Sequence, residues 1–330
     1  MPSPAGLPSP RSARCSPSSL RPRRLRASLL GLLVVALGAV ATACIPPPPP
    51  ELPATTVQVT HSVASYETTW VDTTRSTPAL DGYPGAPSRT LPTTVWYPTD
   101  QANGPYPLVM FAHGFGVTPS TYSALLSRVA AAGYVVAAPT YPILSGRPAG
   151  PSDVVGWDDL FPDTWFVTTQ VLEASASGAG VLGNLVDPQR IAVAGHSDGG
   201  YVAFGDGYQP FRLDMRIRSV ISYAATFDGI SPYQPNARPI LHVLSDHDGY
   251  NPYPEAIAWD AAHLAQPKSV LTLVNADHLA PYTDPNDPHF STLVTVTIAF
   301  LDSSLKSHPE MLSAASLEVG GKPQIARFEP

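Results

Sequence analysis

Residues 190–201 read Arg-Ile-Ala-Val-Ala-Gly-His-Ser-Asp-Gly-Gly-Tyr, and no other stretch restricts the fold as tightly. The run 190–194 is short and apolar and ends in a Gly-rich turn, as a buried strand does; a helix is expected from Gly199 onward. Gly195-His196-Ser197-Asp198-Gly199 therefore sits at a strand-to-helix corner. Glycines on both sides of Ser197 permit a turn so tight that the serine stands in strained backbone, its hydroxyl exposed at the carboxyl edge of a sheet. Such a corner requires a sheet with helices packed on it.

The remaining pattern fits that requirement. Apolar runs at 107–112, 134–138, 219–224, 240–245 and 269–275 alternate with helical segments at 122–132, within 163–176, at 255–264 and at 290–304. Short apolar runs without polar alternation, separated by helices, predict a mostly parallel central sheet covered on both faces. Upstream, 56–60 and 93–97 alternate like half-exposed strands, with a turn-rich stretch at 76–92 between them. From His308 onward no period is visible, and a surface tail is expected.

A serine hydroxyl attacks only when a base removes its proton. In chain order after such a corner an acid and then a histidine are required, each just past a strand. Strand 240–245 runs into Asp246-His247-Asp248, and strand 269–275 into Ala276-Asp277-His278. The spacing allows one strand-helix unit between each pair, so His278 is the expected base. His263, His289 and His308 fall within a helix, at a helix start and in the tail. Asp248 begins the loop that must curl toward His278 and is favoured over Asp246, which still belongs to the strand end. The acid fixes the imidazole tautomer and stabilises the imidazolium. Two N–H donors are needed for a tetrahedral oxyanion: Asp198, after the serine, and Phe115, in the loop Ala112-His113-Gly114-Phe115-Gly116. His113 and His196 are expected to pack and hydrogen-bond around these loops. Asp246, His247, Asp248 and His278 also read as a metal cluster, a weaker alternative because the serine corner already employs two of the four; no metal and no cofactor is expected. The run 284–289 lacks the glycine of a calcium loop and reads as a solvated turn.

Residues 91–301 resemble an α/β-hydrolase. The segments Leu91-Pro92-Thr93-Thr94-Val95-Trp96-Tyr97-Pro98, His113-Gly114-Phe115-Gly116 and Gly195-His196-Ser197-Asp198-Gly199-Gly200 are similar to the platelet-activating-factor acetylhydrolase, dienelactone-hydrolase-like and cutinase-like polyester-hydrolase branch. Serine stands where dienelactone hydrolases proper use cysteine, and Asp198 where polyester hydrolases often carry methionine. The resemblance implies an esterase of EC 3.1.1 type acting through acyl-Ser197. Serine peptidase and inactive surface-binding lipoprotein are the alternatives. Only 51 residues separate Ser197 from Asp248, too few for a large lid, which favours small or extended, even polymeric, esters. A rim at 145–156 is expected, and Phe115, Tyr141 and Trp165 are candidates to line the cleft, each more readily explained as a structural aromatic.

The first 54 residues read as an address. Six arginines precede an apolar run at 29–40, and no acidic residue appears before Glu51. That is the layout of a secretory signal. Ala41-Thr42-Ala43-Cys44 resembles a bacterial lipobox, which implies cleavage before Cys44, its acylation, and a membrane anchor on the outer face of the cell envelope; plain secretion is the alternative. Five prolines from Pro46 are expected to form a stiff spacer. The expected organisation is a leader at 1–43, an anchor and linker at 44–54, a catalytic domain at 55–305 and a tail at 306–330. Removal of the leader leaves 13 basic against 26 acidic residues, three of them lysines, so a nucleic-acid partner is excluded. Two cysteines exclude a disulfide scaffold.

Overall fold

The computed structural model describes residues 60–79, 84–142, 144, 157–227, 238–265 and 267–330. The leader, Cys44, the linker, the 145–156 rim and all but the last residue of the expected 56–60 strand lie outside them. Strands β1 (Val63–Asp72), β2 (Arg89–Pro98), β3 (Tyr106–Ala112), β4 (Val135–Pro139), β5 (Val186–His196), β6 (Ile217–Tyr223), β7 (Ile240–Ser245), β8 (Lys268–Leu273) and β9 (Ala326–Glu329) form one sheet. Its order is β1-β2-β4-β3-β5-β6-β7-β8-β9. From β4 to β8 neighbours are parallel; β1, β2 and β9 pair antiparallel at the margins.

Burial follows the apolar runs. Every residue of β3, β4 and β7 is buried, whereas β1 alternates between exposed and half-buried positions. Helices α1 (Ser123–Ala131), α2 (Trp157–Ala176), α3 (Asp198–Tyr208), α4 (Tyr253–His263), α5 (Ala280–Thr283), α6 (Phe290–Leu305) and α7 (Glu310–Gly320) complete the chain. Phe161 and Val167 of α2, Phe204 of α3 and Trp259 of α4 belong to one apolar core. Leu126 of α1, Leu293 and Phe300 of α6 and Val319 of α7 belong to a second, on the other face. Transfer of such side chains from water contributes about 1.5–3 kcal/mol each.

The C-terminal residues differ from the sequence expectation. Instead of a tail, 310–320 form α7 and 326–329 the last strand, whose Ala326 and Phe328 pair with Leu273 and Leu271. The domain therefore runs past residue 306. Met311, Leu312, Ala315 and Val319 do recur at helical spacing, but among so many small residues that the apolar stripe is faint. A four-residue strand held by backbone pairing leaves no periodic signature. The alternation of β1 is likewise masked by Glu67 and its threonines, and ten paired positions with β2 order it.

The parallel registers bring five strand ends to one edge. Ala112 pairs with Gly195, His196 with Tyr223, Tyr223 with Val243, and Ser245 with Leu273. The loops carrying Phe115, Ser197, Asp248 and His278 all leave from that edge. The chain turns from β3 to β4 on one side and to β5 on the other, which opens a crevice between the loops after β3 and β5, where open α/β sheets bind ligands.

Two buried charged groups brace α2. Arg89 on β2 makes two hydrogen bonds to Asp163, both side chains fully buried, and Arg75 also reaches Asp163 at 2.7 Å. The β1–β2 pair is thereby fastened to α2.

Asp206 of α3 is fully buried; its Oδ1 accepts the Trp165 indole N–H at 2.7 Å, and its Oδ2 has no partner among the described residues. Burial pushes this carboxyl well above the carboxylate range. The folded chain then holds a proton that the unfolded chain releases above its ordinary value near 3.8. Stability from this group falls as pH rises, by up to about 1.4 kcal/mol per pH unit. Asp206→Asn has nothing to titrate, so its stability relative to wild type is expected to improve as pH rises above the ordinary carboxyl value near 3.8, read by urea unfolding. A pH-independent difference would overturn this account.

Candidate active site

Ser197 joins β5 to α3 with φ +56° and ψ −122°, a conformation that side chains with a Cβ rarely adopt. Its N–H donates to the Tyr223 carbonyl at 2.9 Å, and its own carbonyl accepts from Gly200 and Tyr201 at 2.8 and 3.1 Å. Backbone contacts on both sides hold the strained residue in place. The flanking glycines are required by packing: a Cβ on Gly195 would lie 1.9 Å from the Gly199 carbonyl oxygen, and one on Gly199 2.0 Å from that of Ala112. Strand, helix start and β3 meet closer than any side chain permits. Asp198 opens α3, in whose first turn the helix dipole favours a negative charge.

His278 Nδ1 lies 2.7 Å from Asp248 Oδ2, bringing together two side chains 30 positions apart. Asp248 is nearly buried, and its Oδ1 accepts the N–H groups of Tyr250 and Asn251 at 2.8 and 2.9 Å. Burial works to raise its pKa, but the bonds from His278, Asn251 and Tyr250 outweigh that and hold the carboxyl below the ordinary value. An ionised acceptor requires the proton of His278 on Nδ1, which leaves Nε2 as the basic nitrogen. Asp246 is engaged elsewhere: its Oδ1 accepts the Asn275 N–H at 2.6 Å and sits 2.9 Å from His247 Nδ1, while its Oδ2 lies 3.7 Å from Arg327. The turn at 284–289 is closed by its own side chains, with Asp284 accepting the Asn286 N–H and Asp287 that of His289.

The loop after β3 lies against the serine. A Cβ on Gly114 would come within 3.2 Å of the Ser197 Cβ. The Gly116 N–H donates to the Leu144 carbonyl at 2.9 Å, and the Phe115 N–H is engaged in no bond among the described residues. His113 beneath the loop is buried; it donates from Nδ1 to the Gly114 carbonyl at 2.8 Å and accepts the Tyr141 N–H on Nε2 at 3.1 Å. Burial pushes its pKa down to about 4, so it is neutral at pH 7.

Of the aromatics considered as lining, Tyr141 is fully buried with its hydroxyl on Thr164, and Trp165 is tied to Asp206. Phe115 is half-buried. The sequence reading passes over Tyr250, 81% exposed, with its ring centroid 5.0 Å from that of His278, and Leu279, the residue after His278, 39% exposed. Nothing in their local sequence marks them, since their prominence comes from the loops on which they stand.

A family model described as chlorophyllase matches residues 76–246, a span that holds the β3 loop and Ser197 and ends before Asp248 and His278. Among solved structures, a ferulic acid esterase from Streptomyces cinnamoneus superposes with a TM-score of 0.59 at 20% identity, over 78% of this chain and 93% of that one. At that identity the likeness establishes the fold, a mostly parallel sheet of the α/β-hydrolase type. No curated protein matches the chain. The family model spans more than half of the 330 residues, and the chain belongs to the chlorophyllase family.

Proposed function

We propose that the chain is a serine carboxylic ester hydrolase working through an acyl-Ser197 intermediate on small or extended esters. The observation that carries this reading is the Asp248–His278 bond at the sheet edge where Ser197 is held at positive φ. The chlorophyllase family and the fold shared with ferulic acid esterase support ester chemistry. The likeness of 91–98, the 113–116 loop and the serine corner to the acetylhydrolase and polyester-hydrolase branch supports acceptance of varied acyl groups.

In this reading His278 Nε2 takes the Ser197 proton as Oγ adds to the ester carbonyl. The N–H groups of Phe115 and Asp198 bind the oxyanion, a contribution of about 2.7–4 kcal/mol per donor. Collapse breaks the carbon–oxygen bond, and the alcohol leaves with the proton held by His278. The same nitrogen then takes a proton from water as its oxygen adds to the acyl carbon, and returns that proton to Ser197 Oγ as the carbon–Oγ bond breaks, which releases the acid and restores the serine. Asp248 keeps the ring in its Nδ1–H tautomer throughout.

Labelling of the full chain by a fluorophosphonate, beside turnover of p-nitrophenyl esters of graded chain length and of peptide anilides, tests the reading. Labelling with ester turnover is expected; no labelling at neutral pH would favour a non-catalytic binding protein, and anilide turnover alone a peptidase. Asp248→Asn is expected to lower kcat by about 10⁴-fold, the size of a lost tautomer lock. Asp246→Asn is expected to stay within about threefold, and equal losses in both would overturn the choice of acid.

Tyr250 and Leu279 present apolar surface beside His278. A substrate that covers such a ring gains about 1–1.5 kcal/mol, or roughly tenfold in affinity. Tyr250→Ala is therefore expected to raise KM about tenfold for long-chain or aromatic esters, and to leave acetate esters and kcat nearly unchanged. Steady-state kinetics on the two ester classes distinguishes this from a uniform loss. We further propose that the 1–43 leader is removed and that Cys44, acylated, anchors the domain to the outer face of the membrane; the lipobox-like 41–44 and the proline spacer support this.

A further inference from the structure

His196 precedes the serine and is buried at 2% exposure, yet every polar atom of its ring is engaged. Nε2 lies 2.7 Å from the backbone carbonyl of His278, and Nδ1 2.9 Å from the Tyr122 hydroxyl. A carbonyl only accepts, so the ring proton must be on Nε2, and Nδ1 must accept from Tyr122. The Tyr122 oxygen in turn accepts the Gly114 N–H at 3.3 Å. The directions are thus all determined: Gly114 N–H to Tyr122, Tyr122 O–H to His196, His196 N–H to His278. Packing repeats the connection, with the His196 ring centroid 4.8 Å from those of both His278 and Tyr282 and 5.4 Å from that of Tyr122.

We propose that His196 is a positioning residue that couples the base loop to the oxyanion loop, so that His278 and Phe115 are set relative to Ser197 by one buried imidazole. The inference rests on the ester-hydrolase reading above. Three loops from three different strands must agree to within a fraction of an ångström for a proton to move and an oxyanion to be met. A misplacement of 1 Å costs about 10²-fold in rate. Among the described residues no hydrogen bond joins the 113–116 loop directly to the 274–279 loop, and the His196–Tyr122 pair bridges them. Burial, and next the proximity of His278, push the His196 pKa down to about 3. The ring therefore stays neutral, and its bond directions hold even when His278 carries the proton.

The test compares full-length wild type with His196→Leu, His196→Gln and Tyr122→Phe, each checked for folding by thermal melting. His196→Leu is expected to lower kcat and the fluorophosphonate labelling rate about 100-fold, with KM within twofold. His196→Gln places an amide N–H near the lost Nε2–H and is expected to recover about tenfold of that loss. Tyr122→Phe keeps the ring packing, cuts only the oxyanion arm, and is expected to cost about tenfold in kcat; added to His196→Leu it should cost little more. Folded His196→Leu with kcat within threefold of wild type, a loss expressed in KM, or full additivity with Tyr122→Phe would each overturn the proposal. If His196→Leu does not fold, an unchanged kcat in both Tyr122→Phe and His196→Gln overturns it equally. Wild type that fails to label with the fluorophosphonate overturns the ester-hydrolase reading instead, so the two failures are distinct.

Discussion

Under the proposed acyl-serine mechanism, Ser197→Ala is expected to abolish fluorophosphonate labelling and to lower ester turnover by about 10⁶-fold, the scale of losing a nucleophile beside an intact base and acid. The fold should survive, because the bonds at this corner use the backbone of residue 197. Its φ of +56° adds a second expectation. Strain of this kind costs about 1–3 kcal/mol in a residue with a Cβ, and glycine escapes it while losing about 1 kcal/mol more in chain entropy. Ser197→Gly should therefore be inactive and about 1 kcal/mol more stable than Ser197→Ala in guanidinium unfolding. If the glycine variant proves the less stable, the backbone at 197 is unstrained and the corner is misdescribed. Residual labelling in either variant would mean that another nucleophile reacts.

Gly199→Ala is expected to yield almost no folded protein. Its Cβ would sit 2.0 Å from the Ala112 carbonyl oxygen and 2.8 Å from that of His113, and both obstacles are backbone at the end of a central strand. Neither retreats without dragging the β3 loop off the serine, so a destabilisation beyond about 4–5 kcal/mol is expected. Two other glycines calibrate the claim. A Cβ on Gly207 meets the Val220 Cγ2 at 2.3 Å, the end of a side chain that shifts at smaller cost, and one on Gly320 meets nothing within 4 Å. Soluble yield and melting temperature should fall in the order Gly320→Ala, Gly207→Ala, Gly199→Ala. A folded Gly199→Ala protein would show that α3 does not abut β3 this closely.

The parts of the molecule legible in sequence share one property: each is a local pattern with its meaning in its neighbours. The apolar runs at 107–112 and 240–245 announce strands buried on both faces, and the glycines around Ser197 announce a corner. Asp248 and His278 are named as candidates because each follows such a run. The edges of the sheet were harder to read, since β1 is polar on alternate residues and β9 is held by backbone pairing.

What the sequence alone determined is the set of chemically capable residues and the strand ends that carry them, because secondary structure is encoded at spacings of two to four residues. Only the tertiary structure decided which carboxylate faces which imidazole. Asp246 and Asp248 differ by two positions, and the choice between them turns on loop curvature that directs one to Asn275 and the other to His278. It also decided that Tyr122, 74 residues before His196, meets it at 2.9 Å. A contact of that separation exists only after the sheet has brought its strand ends to a common edge, and no shorter-range pattern contains it.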